Sequence, residues 1–297
     1  MICRFKISRL LKFSLAAVLT ILIAVWILFA KLKPNTKAKT LKIGVMPDLD
    51  SIQVAVALSY CENVEIVLFT DALSRSAAFR SGAIDLCVSD LLTAISEITN
   101  GRNDKILTTT SGRYCLVSTK SQIEQIDTVG ISSGTVIEYT TDLLFNEKTV
   151  EKIPISSISA RASALKNRNI SAAVLPEPFA TFTLSSEIKI LAEYNEENIG
   201  IISCNEKAYQ KKQPQITEFL KAFNKAADVI AASPDSEIVK SAMQSLSIGE
   251  AFGRLKLPSY RYAALPDDTA IISACEYLSK NGICTPDRNA VNKALST

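Results

Sequence analysis

The chain has 297 residues, of which 47% are hydrophobic and 21% charged; this composition is typical of a globular protein and excludes general disorder. A chain of this length can form two modest domains. It contains no histidine, which excludes Ser-His-Asp and Cys-His catalysis, zinc sites built on histidine and imidazole general bases. Its cysteines form no CxxC pair, and Cys87, Cys115 and Cys204, which lie in apolar runs, are expected to be free buried thiols.

Residues 1–30 predict a membrane segment. Four basic residues precede an uncharged run from Phe13 to Ala30, which would span roughly 27 Å as a helix and so approaches the thickness of a bilayer core. The run is longer than a typical signal-peptide core and ends without a good small-residue cleavage site. We favour an uncleaved signal anchor with its N-terminus inside over a cleaved signal peptide, and both alternatives stay open.

Basic residues are concentrated at this end of the chain. Five lysines lie between Lys31 and Lys42, so residues 31–40 are predicted to form a basic stalk that is either solvated or in contact with anionic lipid. From Ile43 onward the chain has 24 basic and 30 acidic residues, which gives a net charge near −6. Because a nucleic-acid binder is expected to present a basic face, the sequence predicts no nucleic-acid partner.

Strands and helices alternate after the stalk. Apolar strands are predicted at "LKIGVM", "VEIVLF" and "AIDLCVS", with helices at "SIQVAVALSY" and "ALSRSAAFRSG" between them. The pattern restarts near Ser121, with strands at "TVGIS", "VEKIPIS", "SAAVLPEP" and "EIKILAEY" and helices at "VIEYTTDLLFN" and "ARASALKNRN". From Ala208 the chain is predicted to be helical. This alternation is typical of α/β proteins with parallel sheets, so two such units are expected.

The two α/β units are joined twice. "RYCLVST" leads out of the first unit and "NIGIISCN" leads back, and these segments are expected to lie side by side as neighbouring strands of a hinge. The expected domains are a signal anchor or signal peptide over 1–30, a stalk over 31–40, a first lobe of 41–117 and 200–297, and a second lobe of 118–199. Ligands of open α/β sheets bind beyond the carboxyl ends of the strands, so a cleft is expected between the lobes.

The candidate ligand-binding residues lie at the carboxyl ends of predicted strands. Two prolines flank Glu177 in "LPEPF" and hold its carboxylate at a strand end. In "ISSGT" a strand turns into a helix, and the backbone N–H groups of such a turn are typical of an anion site. The alternative is structural, because these side chains can serve only as helix caps or a solvated corner. The candidates are Pro47, Asp48, Asp50, Ser89, Asp90, Ser132, Ser133, Gly134, Thr135 and Glu177.

The order of these motifs resembles the substrate-binding proteins of ABC importers. The resemblance covers roughly residues 41–282 and rests on "LKIGVMPDLDSIQVAVAL", "VEIVLFTDALSRSAAFRSGAIDLCVSDLLTAI", "TVGISSGT", "AAVLPEPFAT" and "ITEFLKAFNKAADVIAASP". The chain is most similar to the branch that handles sulfonates, nitrate, taurine and thiamine-precursor pyrimidines. The resemblance implies an α/β, two-lobed, periplasmic-binding-protein-like fold (type II) with two hinge crossovers.

The same resemblance implies a function without bond-making chemistry and without a cofactor. Such a protein works on the extracytoplasmic face of the membrane, where it captures a small polar molecule and delivers it to an ABC permease and its ATPase. Family members often have an aromatic or small residue where this chain has Asp48 and Asp50, so a zwitterionic or amino-bearing ligand suits this chain better than a simple anion. Two alternatives stay open: an enzyme on the same fold, such as a small-molecule lyase or synthase, and a sensory ectodomain.

Overall fold

The computed structural model describes residues 40–145, 148–194 and 199–295. The predicted anchor or signal peptide over 1–30 and all of the predicted stalk except Thr40 lie outside the described residues. In the part of the chain that the structure describes, no helix has the length and apolar character needed to span a membrane. Residues from Thr40 onward form one compact unit, and the following description is confined to it.

The elements alternate as the sequence predicts. In chain order the first of them are β1 (Leu41–Val45), α1 (Ile52–Ala57), β2 (Val64–Leu68), α2 (Ala72–Ser81), β3 (Leu86–Asp90), α3 (Leu91–Thr99), β4 (Lys105–Thr109), β5 (Tyr114–Ser118), β6 (Thr128–Ile131), α4 (Val136–Phe145) and β7 (Glu151–Pro154). They are followed by α5 (Ile158–Lys166), β8 (Ala172–Pro176), α6 (Phe179–Thr183), β9 (Lys189–Tyr194), β10 (Gly200–Cys204), α7 (Glu206–Lys211), α8 (Gln213–Ala232), α9 (Glu237–Ser245), α10 (Asp268–Lys280) and α11 (Arg288–Leu295).

Two five-stranded sheets organise the unit, and they have the same design. The first has the order β2-β1-β3-β10-β4 and the second the order β7-β6-β8-β5-β9. In the first sheet β1 pairs in parallel with β2 and β3, whereas β10 runs antiparallel to β3 and β4. In the second sheet β6 pairs in parallel with β7 and β8, and β5 is the antiparallel strand. The prediction of two similar α/β units is therefore confirmed, whereas the sheets are mixed rather than parallel as expected, because β10 and β5 run antiparallel to their neighbours.

The chain passes between the sheets at two short segments. The first lies between Thr109 and Tyr114, and the second between Tyr194 and Gly200. The segments meet where the Thr110 N–H donates to the Gly200 carbonyl oxygen at 2.8 Å. The prediction that "RYCLVST" and "NIGIISCN" are neighbouring strands is wrong, because β5 belongs to the second sheet and β10 to the first. The chain crosses to the second sheet before β5 and returns to the first sheet before β10, so each strand pairs within a different sheet.

We call the first sheet and the helices packed on it the first lobe, and the second sheet with its helices the second lobe. Since β5 lies in the second sheet, the sheets divide at residues 110–113 rather than at the expected boundary of 117. The C-terminal helices return to the first lobe. The apolar face of α8, with Phe219 and Phe223 fully buried, packs on α1, and α10 and α11 pack on α3.

Candidate functional site

A cavity lies between the two sheets, at the carboxyl ends of β1, β3, β6, β7 and β8. It contains about 510 Å³ of empty space, part of which is open to solvent, and the centre of a water molecule can reach about 60 Å³ of it. Both lobes supply polar walls. The first lobe contributes Asp48, Asp50, Arg75, Ser89 and Asp90, and the second contributes Tyr114, Ser132, Thr135, Ser156 and Arg161.

Asp48 lies in the turn that follows β1. Its Oδ1 accepts hydrogen bonds from the Ser51 N–H at 3.2 Å and from the Ser51 hydroxyl at 2.8 Å, and so caps a short 3-10 helix over Leu49–Ser51. Burial in the cavity wall, followed by the nearby charge of Asp50, raises the pKa of Asp48 to about 7. Asp48 therefore titrates near neutral pH.

Asp50 lies in the hinge rather than only in the cavity wall. Its carboxylate accepts hydrogen bonds from Thr110 Oγ1 in the first crossover at 2.5 Å and from Tyr114 Oη at the start of β5 at 3.2 Å. Two glycines leave room for it, since a Cβ at Gly112 would lie 2.1 Å from Asp50 Oδ2 and a Cβ at Gly200 would lie 2.5 Å from Asp50 Oδ1. Burial raises the pKa of this carboxyl.

Ser89 and Asp90 end β3 beside the cavity. Asp90 caps α3, because its carboxylate accepts from the Thr93 N–H at 2.8 Å and from the Thr93 hydroxyl at 2.9 Å. Burial raises the pKa of Asp90. The Ser89 hydroxyl accepts a long hydrogen bond of 3.4 Å from Arg75 Nη2. Asp90 thus caps the helix and lines the cavity, so the two readings of this residue are compatible.

The turn after β6 contributes to the cavity and to a second pocket beside it. Ser132 and Thr135 line the cavity, while all four residues from 132 to 135 line a second, neighbouring pocket between α2 and α3 of the first lobe and the turns after β6 and β7 of the second. The Thr135 hydroxyl donates to the Ser132 carbonyl oxygen at 2.8 Å. The Gly134 N–H donates to Glu138 Oε2 at 2.8 Å, so the protein's own carboxylate occupies this donor of the predicted anion site.

Glu177 is buried, and its carboxylate does not line the cavity. It accepts hydrogen bonds from the Thr181 N–H at 3.0 Å and the Thr181 hydroxyl at 2.9 Å at the start of α6. Its carbonyl oxygen accepts from the Leu49 N–H at 3.1 Å, which connects the second lobe to the turn after β1. Pro47, the remaining candidate, is buried and also lies outside the cavity wall.

Sequence reasoning missed two buried arginines, Arg75 and Arg161, that line the cavity. Each is the fourth residue of a helix that follows the edge strand of its sheet, α2 in the first lobe and α5 in the second. Arg161 Nη1 donates to the carbonyl oxygens of Ile155 at 2.7 Å and Ser156 at 3.1 Å. Burial lowers the pKa of Arg161 to about 10. The available signal was an arginine at the same place in two helices that are rich in alanine and serine.

The described residues contain no cluster of three or more cysteine, aspartate or glutamate side chains arranged to hold a metal ion. All six cysteines from Cys61 onward are free thiols, and Cys87, Cys115 and Cys204 are buried in the sheets. Burial raises the pKa of Cys115 and Cys204, which keeps both as neutral thiols. The cavity can therefore offer guanidinium, carboxyl and hydroxyl groups to a ligand.

Comparison with solved structures identifies the fold. A ligand-binding component of an ABC-type import system from Staphylococcus aureus, with zinc bound, matches with a TM-score of 0.68 at 12% identity over 87% of this chain and 100% of that one. The alkanesulfonate-binding protein SsuA of Xanthomonas axonopodis pv. citri, bound to MOPS, matches with a TM-score of 0.67 at 14% identity over 88% and 99%.

A Candida albicans protein described as having the generic periplasmic binding protein fold matches with a TM-score of 0.64 at 13% identity, over 86% of this chain and 94% of that one. No protein-family model and no curated protein matches the chain. The chain has the periplasmic binding protein fold, and this confirms the two-lobed fold class that its motifs indicate.

Proposed function

We propose that this protein is an extracytoplasmic solute-binding protein, which captures a small polar molecule between its lobes and delivers it to an ABC-type import permease. The observation that carries the proposal is the cavity, whose polar walls come from both lobes and from the carboxyl ends of both sheets. A ligand that contacts both walls binds more tightly when the lobes are together, and so favours the closed arrangement.

Polar contacts join the lobes at the rim and behind the cavity. At the rim, Asp71 and Ser157 form an isolated antiparallel bridge between the starts of α2 and α5. Behind the cavity, the Tyr277 hydroxyl of α10 donates to Asp142 Oδ2 of α4 at 2.6 Å. The lobes also share a buried apolar cluster, to which α3 and α10 contribute from the first lobe and β6 and α4 from the second. Rotation about the two crossovers would therefore also have to part some of this apolar surface.

The similar structures support the assignment. One of them is named as the ligand-binding component of an ABC-type import system, and another as an alkanesulfonate-binding protein. We assign the same working arrangement to this chain: a permease and its ATPase as partners, and a place at the outer face of the membrane, anchored through residues 1–30 or released if that segment is cleaved. The binding residues are taken to be the predicted residues that line the cavity, namely Asp48, Asp50, Ser89, Asp90, Ser132 and Thr135.

Native mass spectrometry of the full-length protein, purified without denaturation, tests the proposal. We expect an adduct of small mass that is lost on denaturation, and we expect the same compound to raise the melting temperature when it is added back. If the protein carries no adduct and no small polar solute in a broad library changes its melting temperature, the proposal is wrong.

A further inference from the structure

Two arginines reach the cavity from opposite lobes at matching positions. Arg75 is the fourth residue of α2, which Asp71 caps, and Arg161 is the fourth residue of α5, which Ser157 caps. The two caps face each other in the rim bridge between the lobes. Because helical side chains lean toward the helix N-terminus, both guanidinium groups extend toward the place where the lobes meet.

Neither arginine forms an ion pair within 4.0 Å in the described part of the chain, although the charge of Arg75 acts on the nearby carboxyls of Asp48, Asp50 and Asp90. Arg75 is 6% exposed and Arg161 is 1% exposed, yet none of the ion pairs found there includes either of them. The Nε atom of each is buried without a hydrogen-bond partner among the described residues. Only desolvation acts on the pKa of Arg161, and the Nε donors of both arginines are unsatisfied among the described residues, so a group that supplies negative oxygen atoms between them would be stabilised.

We infer that the ligand is a compact zwitterion, with an oxyanion group held between Arg75 and Arg161 and a protonated amine facing Asp48. The inference rests on the proposed function and adds the chemical class of the solute. The planar fork of a guanidinium group matches the geometry of a carboxylate or sulfonate. Since one fork comes from each lobe, the oxyanion group contacts both lobes and favours their closure.

The acidic residues of the cavity favour a ligand that also carries an amine. Asp48, Asp50 and Asp90 place three carboxyl groups in the walls beside the two arginines, and a protonated amine would stabilise the ionised forms of these carboxyls. The Asp50 and Asp90 oxygens accept hydrogen bonds from the protein, whereas both bonds to Asp48 fall on Oδ1. Asp48 Oδ2 has no partner among the described residues and can accept from an amine.

The size of the cavity limits the ligand to a compact molecule. The centre of a water molecule reaches about 60 Å³ of the space, whereas one water needs about 10 to 15 Å³ on the same measure. Compact zwitterions are therefore suitable probes, namely glycine, β-alanine, 4-aminobutyrate and taurine.

Calorimetric titration of the purified full-length protein with matched probes tests the inference. Propionate and ethanesulfonate lack the amine of β-alanine and taurine, and ethylamine lacks the acid group. We expect the best zwitterion to bind at least roughly tenfold more tightly than its matched anion or amine, because each removes one charge-assisted contact. Equal affinity for an anion or an amine, or no binding by any zwitterion of the panel, would overturn the inference.

Arginine variants locate the oxyanion group. Arg75→Gln and Arg161→Gln should each weaken binding of the best zwitterion by roughly tenfold to a hundredfold. Arg80→Gln is the matched control on α2 and Arg168→Gln the control in the second lobe, since both arginines are exposed and paired with glutamates. The controls should stay within about twofold of the unaltered protein. Unchanged affinity in both cavity variants would contradict the proposed position, and the probe comparison on the unaltered protein stands even if a variant fails to fold.

Uncharged probes separate the failure of this inference from the failure of the proposed function. If cytosine or another uncharged polar solute binds while every zwitterion fails, the protein is still a solute-binding protein and only the inferred charge pattern is wrong. If no small molecule binds at all, the proposed function fails together with the inference.

Discussion

Asp48 carries the pH dependence that is easiest to assign at the scale of single residues. Its pKa is about 7 in the folded protein, against an ordinary value of 3.8, because of burial first and then the charge of Asp50, with Arg75 acting in the opposite direction. The folded protein keeps this proton to higher pH than the unfolded chain does. Asp48 therefore favours folding at low pH, and this contribution is lost as the pH rises from about 4 to about 7.

The corresponding prediction concerns Asp48→Asn. The melting temperature of the ligand-free protein should fall as the pH rises from about 4 to about 7, and the variant should show a shallower fall, because asparagine does not titrate. Asp50 and Asp90 shift in the same direction and should maintain part of the slope. Thermal melts across this range check the prediction, with exposed Asp127→Asn as the control. Parallel curves for the unaltered protein and Asp48→Asn would contradict it.

Glu177 is expected to affect stability rather than binding. Its buried carboxylate accepts two hydrogen bonds from Thr181, and Glu177→Ala would remove both acceptors. We expect a loss of about 1 to 3 kcal/mol in the free energy of unfolding, with ligand affinity changed by no more than about twofold. Urea unfolding and a ligand titration measure the two quantities, and exposed Glu187→Ala is the control. Weakened binding at unchanged stability would instead place this carboxylate at the ligand.

At the scale of elements, the hinge depends on the close approach of Asp50 to two glycines. A Cβ at Gly112 would lie 2.1 Å from Asp50 Oδ2, which is far inside van der Waals contact, so the carboxylate or the crossover must move. Gly112→Ala should therefore lower the free energy of unfolding by about 1 to 3 kcal/mol. Because the clash is with Asp50 itself, the double variant with Asp50→Ala should lose less than the sum of the two single losses. Additive losses would show that Asp50 is not the group displaced.

The elements themselves were largely predictable from the sequence, whereas their assignment to sheets was not. Alternating apolar strands and helices identify the α/β pattern, because the hydrophobic periodicity of each strand or helix can be read from a short stretch of sequence. The strands Tyr114–Ser118 and Gly200–Cys204 are both short apolar runs, and nothing in their residues says which sheet pairs with them. Each strand follows a crossover and pairs in the sheet that the chain has just entered. This pairing depends on contacts between residues far apart in the chain.

The candidate site shows the same division between local and distant information. Strand ends can be recognised from local sequence, so the cavity residues that follow strands could be predicted: Asp48, Asp50, Ser89, Asp90, Ser132 and Thr135. Arg75 and Arg161 occupy helices whose turns hold mostly alanine and serine, so they look like surface cations in the sequence. They become cavity residues only when the two lobes face each other. Glu177 was predicted to contact the ligand because it lies at a strand end. The sequence does not show that the following turn brings Thr181 to its carboxylate.

At the scale of the whole molecule, several groups of contacts hold the lobes together, including a buried apolar cluster that both lobes share. The crossovers meet at Thr110 and Gly200, the rim closes at Asp71 and Ser157, and the back closes where Tyr277 of α10 meets α4. The back contact includes an edge-to-face ring pair of Tyr139 and Tyr277 with centroids 4.9 Å apart. It lies outside the cavity wall, so it can change the closing equilibrium without touching a ligand.

Tyr277→Phe tests whether closure contributes to affinity. The variant keeps the ring contact with Tyr139 but loses the hydrogen bond to Asp142, which is also paired with Lys152 and so remains a satisfied carboxylate. Losing one such bond costs about 0.5 to 1.5 kcal/mol, so ligand affinity should fall by roughly twofold to tenfold if binding requires the closed lobes. Tyr262→Phe is the matched control, since that hydroxyl bonds to Asp228 within the first lobe. Small-angle scattering of the ligand-free protein should show a larger radius of gyration for Tyr277→Phe alone. Equal affinities and radii in the two variants would mean that the back contact does not take part in closure.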